Sequence, residues 1–350
     1  MMDLVNTHAL QPFWSMAAAP VQVSALELAL DNKLFDYLVQ DATAKQVASK
    51  LAMQPGPVSV WLDLLWSMEL LARNLPPGSP GDSGAATHYQ CTSLAKRYLV
   101  SSSPENCAAA LSYRLRILRH AGTQFEDFVR SGRSERTIPG GEATHTNWAK
   151  AAEQQISQEQ RAVSVPSILD RLPPASSLVQ QGRFLDLGGG PGHIAIALAH
   201  HLPQWTGTVC DLPATATVAQ GSIDNAGLAD RINVRSADLE HDDIGTGYDL
   251  IWCSCVLHFL QDPKAALSKI CQGLRRGGVL YIAHAEVPSQ ARDASRILPF
   301  YASMMLRGRF VPATGQMHDM LVATGFSQIR SLGPIAFPMT PVWLYTGIKP

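Results

Sequence analysis

The stretch Phe184 to Leu198, FLDLGGGPGHIAIAL, limits the choice of fold more than any other part of the chain. Apolar residues suited to a buried strand surround Asp186 and run into Gly188, Gly189, Gly190, Pro191 and Gly192, after which an apolar helical stretch begins. This predicts strand, glycine turn and helix N-terminus. A turn without side chains lets a ligand lie against the backbone, and the first N–H groups of the helix offer donors and the positive end of a dipole. A nucleotide or nucleoside cofactor suits such a place.

Glycines alone do not choose the cofactor, because Gly190, Gly192 and Ala195 also spell GxGxxA, the pattern of dinucleotide binders. Acids at strand ends discriminate better. Asp186 lies in the strand before the glycines, Asp211 ends the next strand (GTVCDLP), and Asp238 ends the one after (INVRSADL). Three acids at three successive strand ends fit S-adenosylmethionine better than a dinucleotide: Asp211 for the ribose hydroxyls, Asp238 and Leu239 toward the adenine, and no pyrophosphate to house. The alternative is that these are helix caps and turn aspartates of another α/β protein.

A chain of 350 residues suggests two domains. Residues 14 to 40 carry apolar residues at helical spacing with few charges, more than one surface helix buries, which predicts packing against a partner chain. Two amphipathic helices follow, around Pro55, Gly56 and Pro57, the second over Val58 to Arg73. A Pro, Gly and Ser rich tip (Pro76 to Gly84), a short strand and a helix capped by Thr92 or Ser93 then complete a winged helix. Its second helix shows Trp61, Leu64, Leu65 and Trp66 and almost no basic residues, and the net charge is −1, so DNA finds no electrostatic footprint. Glu105 to Leu172 reads as helical, divided by a glycine-containing loop from Arg133 to Thr144, and its last part (from Asn147) as a connecting helix roofing the site. Beyond Leu198 strands and helices alternate, which predicts a doubly wound, mostly parallel sheet with ligands at the carboxyl ends of its strands. The six cysteines lack metal-site spacing and read as reduced thiols, no metal is expected, and neither export signal nor membrane span of about 18 apolar residues is indicated. These features point to the cytoplasm.

Taken together, the residues resemble class I S-adenosylmethionine-dependent methyltransferases of the caffeate and acetylserotonin O-methyltransferase type, including bacterial natural-product members. The resemblance rests on SALELALDNKLFDYL and TSLAKRYLV, on DLGGGPG, on DLP at Asp211 to Pro213, on Ala237–Asp238, on VLHFLQD at Val256 to Asp262, and on the terminal ATGFSQI. It implies a Rossmann-like seven-stranded α/β methyltransferase domain over 173–350, connecting helices over 106–172, and a helical dimerisation and winged-helix domain over 1–105 that forms a homodimer. S-adenosyl-L-methionine would lie against Asp186, Gly188, Gly189, Gly190, Asp211, Leu212, Asp238, Leu239 and Ser254, where Ser254 stands at the position of a lysine that contacts adenine in plant members.

The resemblance also implies that His258 takes the proton of an acceptor hydroxyl as the methyl group moves, a role suited to a base titrating near neutrality. Other departures surround it. Phe259 replaces an acid, His284 stands where a glutamate precedes the proline (here Pro288), and no acid is found near Val311 to Thr314. One reading is a two-histidine acceptor site of His258 and His284; the other is an acceptor that needs no strong base, such as a thioether of the dimethylsulfoniopropionate type, an amine or a carbon. A cyclase without methyl transfer, a nicotinamide-dependent oxidoreductase and a winged-helix regulator are the remaining alternatives. The acceptor, a small molecule, is expected among Phe300, Tyr301, Met304, Met305, Phe310 and Trp148, with Trp14 as a contribution from the partner's N-terminus. Arg296, Arg307 and Arg309 are either carboxylate anchors or solvated surface.

Overall fold

The computed structural model describes residues 8–74, 86–133, 145–174, 176 and 178–350. The Pro-rich tip from Pro76 to Gly84, and all but the first residue of the loop from Arg133 to Thr144, lie outside them. The chain divides into two compact units, Met1–Arg116 and Ile117–Pro350.

In the first unit α1 (Gln11–Asp31) begins with Pro at an early position, and α2 (Leu34–Tyr37) follows. Strand β1 (Ala42–Thr43) leads into α3 (Ala44–Leu51), whose N-terminus is closed by a reciprocal cap: the Thr43 hydroxyl accepts from the Gln46 N–H while the Gln46 side chain accepts from the Thr43 N–H. The proline pair expected as a turn instead starts α4 (Pro55–Ser67), since a missing N–H costs nothing in a first helical turn. That helix ends at Ser67, short of the predicted Arg73, because residues 71–74 form strand β2 (Leu71–Asn74). β2 pairs with β3 (His88–Cys91) in an antiparallel sheet of order β1-β3-β2. Thr92 caps α5 (Ser93–Tyr98), as its position before the apolar run predicts. α6 (Ala108–Ser131) crosses the boundary between the units.

The second unit is built on a seven-stranded sheet of order β6-β5-β4-β7-β8-β10-β9, formed by β4 (Arg183–Leu187), β5 (Thr206–Asp211), β6 (Ile232–Ser236), β7 (Tyr248–Ser254), β8 (Leu274–His284), β9 (Ser327–Ile335) and β10 (Val342–Ile348). The strands from β6 to β8 are parallel, and β10 lies antiparallel between β8 and β9. β4 and β7 are apolar on both sides because helices cover both faces of the sheet. One face packs the helices His193–His201 and Pro213–Asn225, together with Ile168 and Tyr301; the other packs Pro263–Gly273 and Gln316–Ala323. The stretch over 291–306 is helical in two pieces, Ala291–Ala294 and Leu298–Leu306, where Pro299 occupies the first turn of the second.

Candidate active site

Strand order reverses at β4, where β5 lies to one side and β7 to the other, and ligands of open parallel sheets collect at the carboxyl ends there. β4 runs out at Leu187 into the glycine turn. Gly188 and Gly190 adopt φ of +66° and +60°, a left-handed conformation that side chains resist. At Gly189 the obstacle is space: a Cβ would stand 2.8 Å from both the Asp186 carboxylate and Val209 Cγ1. One at Gly188 would run into Val256. Even an alanine therefore meets the wall at either position.

Asp186 lies beneath this turn. It is buried, and its Oδ2 accepts from the Ala195 N–H at 3.1 Å in the first turn of His193–His201. Burial pushes its pKa up to about 7, with Asp211 adding to the rise and the Ala195 N–H opposing it. Asp186 thus ties strand to helix under the turn. Asp211, at the end of β5, is turned toward the loop: Oδ2 accepts from Gly190 N–H and Oδ1 from Leu212 N–H, each at 2.8 Å. Burial raises its pKa while these two donors pull it down. Asp238 lies just beyond β6, adjacent to Asp211 through the Ala237 N–H to Asp211 carbonyl bond of 3.0 Å, and its Oδ1 accepts from Glu240 N–H. Leu239 is buried beside it. Ser254 closes β7, and its hydroxyl accepts from the Trp252 indole N–H at 3.1 Å.

The glycine turn has a roof. Residues 145–169 run as one helix containing two wider, π-helical turns, Ala152–Ile156 and Gln160–Ser164. Such turns recur at functional sites. Gln160 clamps the turn from above, donating Nε2–H to the Gly189 carbonyl at 3.1 Å and accepting His193 N–H at 3.2 Å. Ser157 meets His193 Nε2 at 2.7 Å. Gln160 was not legible in the sequence because its partners lie about thirty residues away in no repeating pattern.

Beyond Ser254, Cys255 takes φ of +55°, a strained backbone for a non-glycine residue, and a single 3-10 turn, Leu257–Phe259, presents His258. His258 is only 3% exposed. Its Nδ1 lies 3.3 Å from Nε2 of His284, and His284 Nδ1 lies 2.8 Å from the Ala285 carbonyl. A carbonyl only accepts, so Nδ1 of His284 carries its proton and the neutral ring offers Nε2 as acceptor. His258 therefore donates from Nδ1. Its own Nε2 keeps a lone pair with no hydrogen-bond partner among the described residues. Burial lowers the pKa of His258 well below the ordinary histidine value, and the neighbouring His284 and Arg309 deepen the shift. Burial takes His284 to about 4, against a smaller upward pull from the Ala285 carbonyl.

Aromatic rings enclose the pair. Tyr301 stands edge-on to His258 at 5.8 Å between centroids, Phe310 lies 5.7 Å from His284, and Trp148 of the roof meets Phe259 edge-on at 4.7 Å. Phe300 and Met304, expected with Tyr301, pack against the core cluster on that face of the sheet. Trp14 belongs to the other unit, where it is half exposed on α1 and stacks on His8. Near Val311 to Thr314, where no acid stands, Val287 bridges Ala313 in parallel, and just before Val287 the fully buried Glu286 accepts from the Tyr345 hydroxyl at 2.8 Å. Among the described residues no cluster of His, Cys, Asp or Glu has the arrangement of a metal site.

Comparison with known proteins identifies the two domains. Residues 185–280 match the model of a methyltransferase domain, and residues 14–101 that of an O-methyltransferase dimerisation domain. A Streptomyces sahachiroi protein named 3-hydroxy-5-methyl-1-naphthoate 3-O-methyltransferase is 24% identical over 89% of this chain and 88% of its own. The N,N-dimethyltransferase OxyT of Streptomyces rimosus is 27% identical over 94% and 93%. Human N-acetylserotonin methyltransferase, solved in complex with SAM, superposes with a TM-score of 0.79 at 20% identity, covering 99% of both chains.

Proposed function

The chain belongs to the class I S-adenosylmethionine-dependent methyltransferases that carry an O-methyltransferase dimerisation domain, and from that premise we propose that it methylates a hydroxyl oxygen of a small molecule with His258 as general base. The protein is a methyltransferase and its methyl donor is S-adenosylmethionine. The cradle fits that donor: a turn in which Gly188 and Gly189 admit no Cβ, with the Asp211 carboxylate at its rim. Gly188 to Gly190 would hold its amino-acid end, Asp211 and Leu212 its ribose, and Asp238, Leu239 and Ser254 its adenine. S-adenosylmethionine supplies an electrophilic methyl group on a positively charged sulfur.

The remaining work falls to the chain's own side chains. Tyr301, Phe310, Phe259 and Trp148 position a flat acceptor, since holding the reactants in line supplies much of the rate. The free lone pair on His258 Nε2 carries the oxygen reading, because it can take up a hydroxyl proton as the methyl group arrives. His284 takes the place of the missing orienting acid by accepting from His258 Nδ1. The likeness to OxyT supports N-methylation as the second reading.

In this reading residues 1–105 form the dimerisation region, with α2 to α5 and the sheet β1-β3-β2 as a winged helix. Residues 106–172 connect it to the methyltransferase domain of 173–350. The enzyme works as a cytoplasmic homodimer, a setting that suits six cysteines held outside disulfides. Calorimetry with S-adenosylmethionine, S-adenosylhomocysteine and NADH is the test. Heat with the two adenosyl ligands and none with NADH is expected; silence from both adenosyl ligands would overturn the methyltransferase.

A further inference from the structure

His258 and His284 are buried, and the chain of contacts from the Ala285 carbonyl through both rings holds the pair neutral. The pair therefore brings no charge of its own to the acceptor site, and Phe259, not an acid, follows the base, so a negatively charged acceptor meets no repulsion there.

Arg309 supplies the charge that such an acceptor needs. Three arginines border this region in sequence, and the structure separates them. The Arg307 guanidinium is engaged by Gln124, at 2.6 Å from Oε1, and lies over Phe128. Arg296 lies exposed between the two short helices Ala291–Ala294 and Leu298–Leu306. Arg309 turns to the active site. Its Nη1 donates to the carbonyl of Phe259, the residue after His258, at 3.0 Å, and its positive charge reaches His258. The side chain is half-buried, and its other donors have no partner among the described residues. A planar guanidinium fixed on one side by a carbonyl and open on the other is a receptor for a carboxylate or phenolate.

Resting on the methyltransferase reading, we infer that the acceptor is a hydroxyarene that carries a carboxylate, and that Arg309 selects it by pairing with that negative charge. The rings of Trp148, Phe259, Tyr301 and Phe310 take its flat body. Arg309 is a specificity residue in this scheme, whereas His258 touches the reacting oxygen.

Acid and amide pairs of identical shape test it. Salicylate is titrated against salicylamide, and each hydroxynaphthoate against its hydroxynaphthamide, into the full-length protein saturated with S-adenosylhomocysteine, with binding read by calorimetry. At least one carboxylate should bind ~10-fold or more tighter than its amide. In Arg309→Gln the carboxylate should fall to the level of the amide, amide binding and S-adenosylhomocysteine affinity should stay as they were, and Arg309→Lys should restore part of the preference. A structural disturbance of the Phe259 turn would weaken acid and amide alike, which would overturn the inference. So would a wild type in which no carboxylate outbinds its amide. Loss of S-adenosylhomocysteine binding in the wild type, by contrast, would refute the methyltransferase reading itself.

Discussion

A single backbone carbonyl sets the proton inventory of the histidine pair. The Ala285 oxygen fixes the proton of His284 on Nδ1, His284 thereby fixes that of His258 on Nδ1, and the one open lone pair ends on His258 Nε2. His258→Ala should keep S-adenosylhomocysteine affinity and lower kcat by roughly 100-fold, the usual worth of a general base, as measured by steady-state methyl transfer beside calorimetry. Full turnover in that variant would show that the acceptor ionises without help. Stability carries a second signature. Native His284 stays neutral down to a pKa of about 4, whereas the unfolded residue protonates near ~6.5, so between these values the unfolded chain binds more protons. The contribution of His284 is complete above the unfolded pKa and is lost as pH falls toward the native one. Urea unfolding should therefore show the deficit of His284→Asn shrinking on acidification from pH ~6.5 to ~4, by on the order of 3 kcal/mol if the variant has no titrating group there. A deficit that is constant with pH would mean that His284 is not buried in neutral form.

At the level of elements, the glycine turn works because three segments converge on it: β4 from below through Asp186, β5 from the side through Asp211, and the roof helix from above through Gln160. Gly189→Ala would drive a Cβ to 2.8 Å from the Asp186 carboxylate and Val209, displacing the support rather than only the ligand. Overpacking of this kind costs about 1–3 kcal/mol, so a lower melting temperature together with lost S-adenosylhomocysteine binding is expected; intact binding would show that the turn yields. Gln160→Ala separates the two effects, because it removes the clamp without touching the floor, and should weaken ligand binding more than it lowers the melting temperature. Much of this was legible in the sequence. Glycines after an apolar strand and aspartates at the next two strand ends announce their own positions, because a parallel sheet puts every such end on one edge. The 258–284 pairing followed less directly, from two histidines just past β7 and at the end of β8, which proved to be neighbours. Gln160 and Glu286 were hidden for a common reason: each acts through a backbone group or hydroxyl far away in sequence, which leaves no local pattern. Arg309 was legible only as one of three arginines, because its partner, the Phe259 carbonyl, lies fifty residues away.

On the scale of the whole molecule, α1 is the element that a single chain does not explain. It is apolar on every side, and by length and composition it could cross a membrane, yet only Ala25 and Ala29 are buried. Phe13 and Met16 are 65% and 72% exposed, and Trp14 and Val21 lie at the surface with them. A helix apolar all round is stable only when something covers it. Its C-terminal part is already held, where the Trp61 indole donates to the Ala25 carbonyl at 2.9 Å. The dimerisation-domain match begins at residue 14, inside the exposed part, which argues for a second copy of this chain over a bilayer. Glutamates at Met16 and Val21 would lie in water in the monomer and in an apolar contact in the dimer, so the double variant should fold and fail to associate. Sedimentation velocity should give the mass of two chains for the wild type and of one for the Met16→Glu, Val21→Glu variant, with the far-ultraviolet spectra alike. Wild type that is monomeric in buffer but floats with phospholipid vesicles would assign α1 to the membrane instead, and the homodimer would fall.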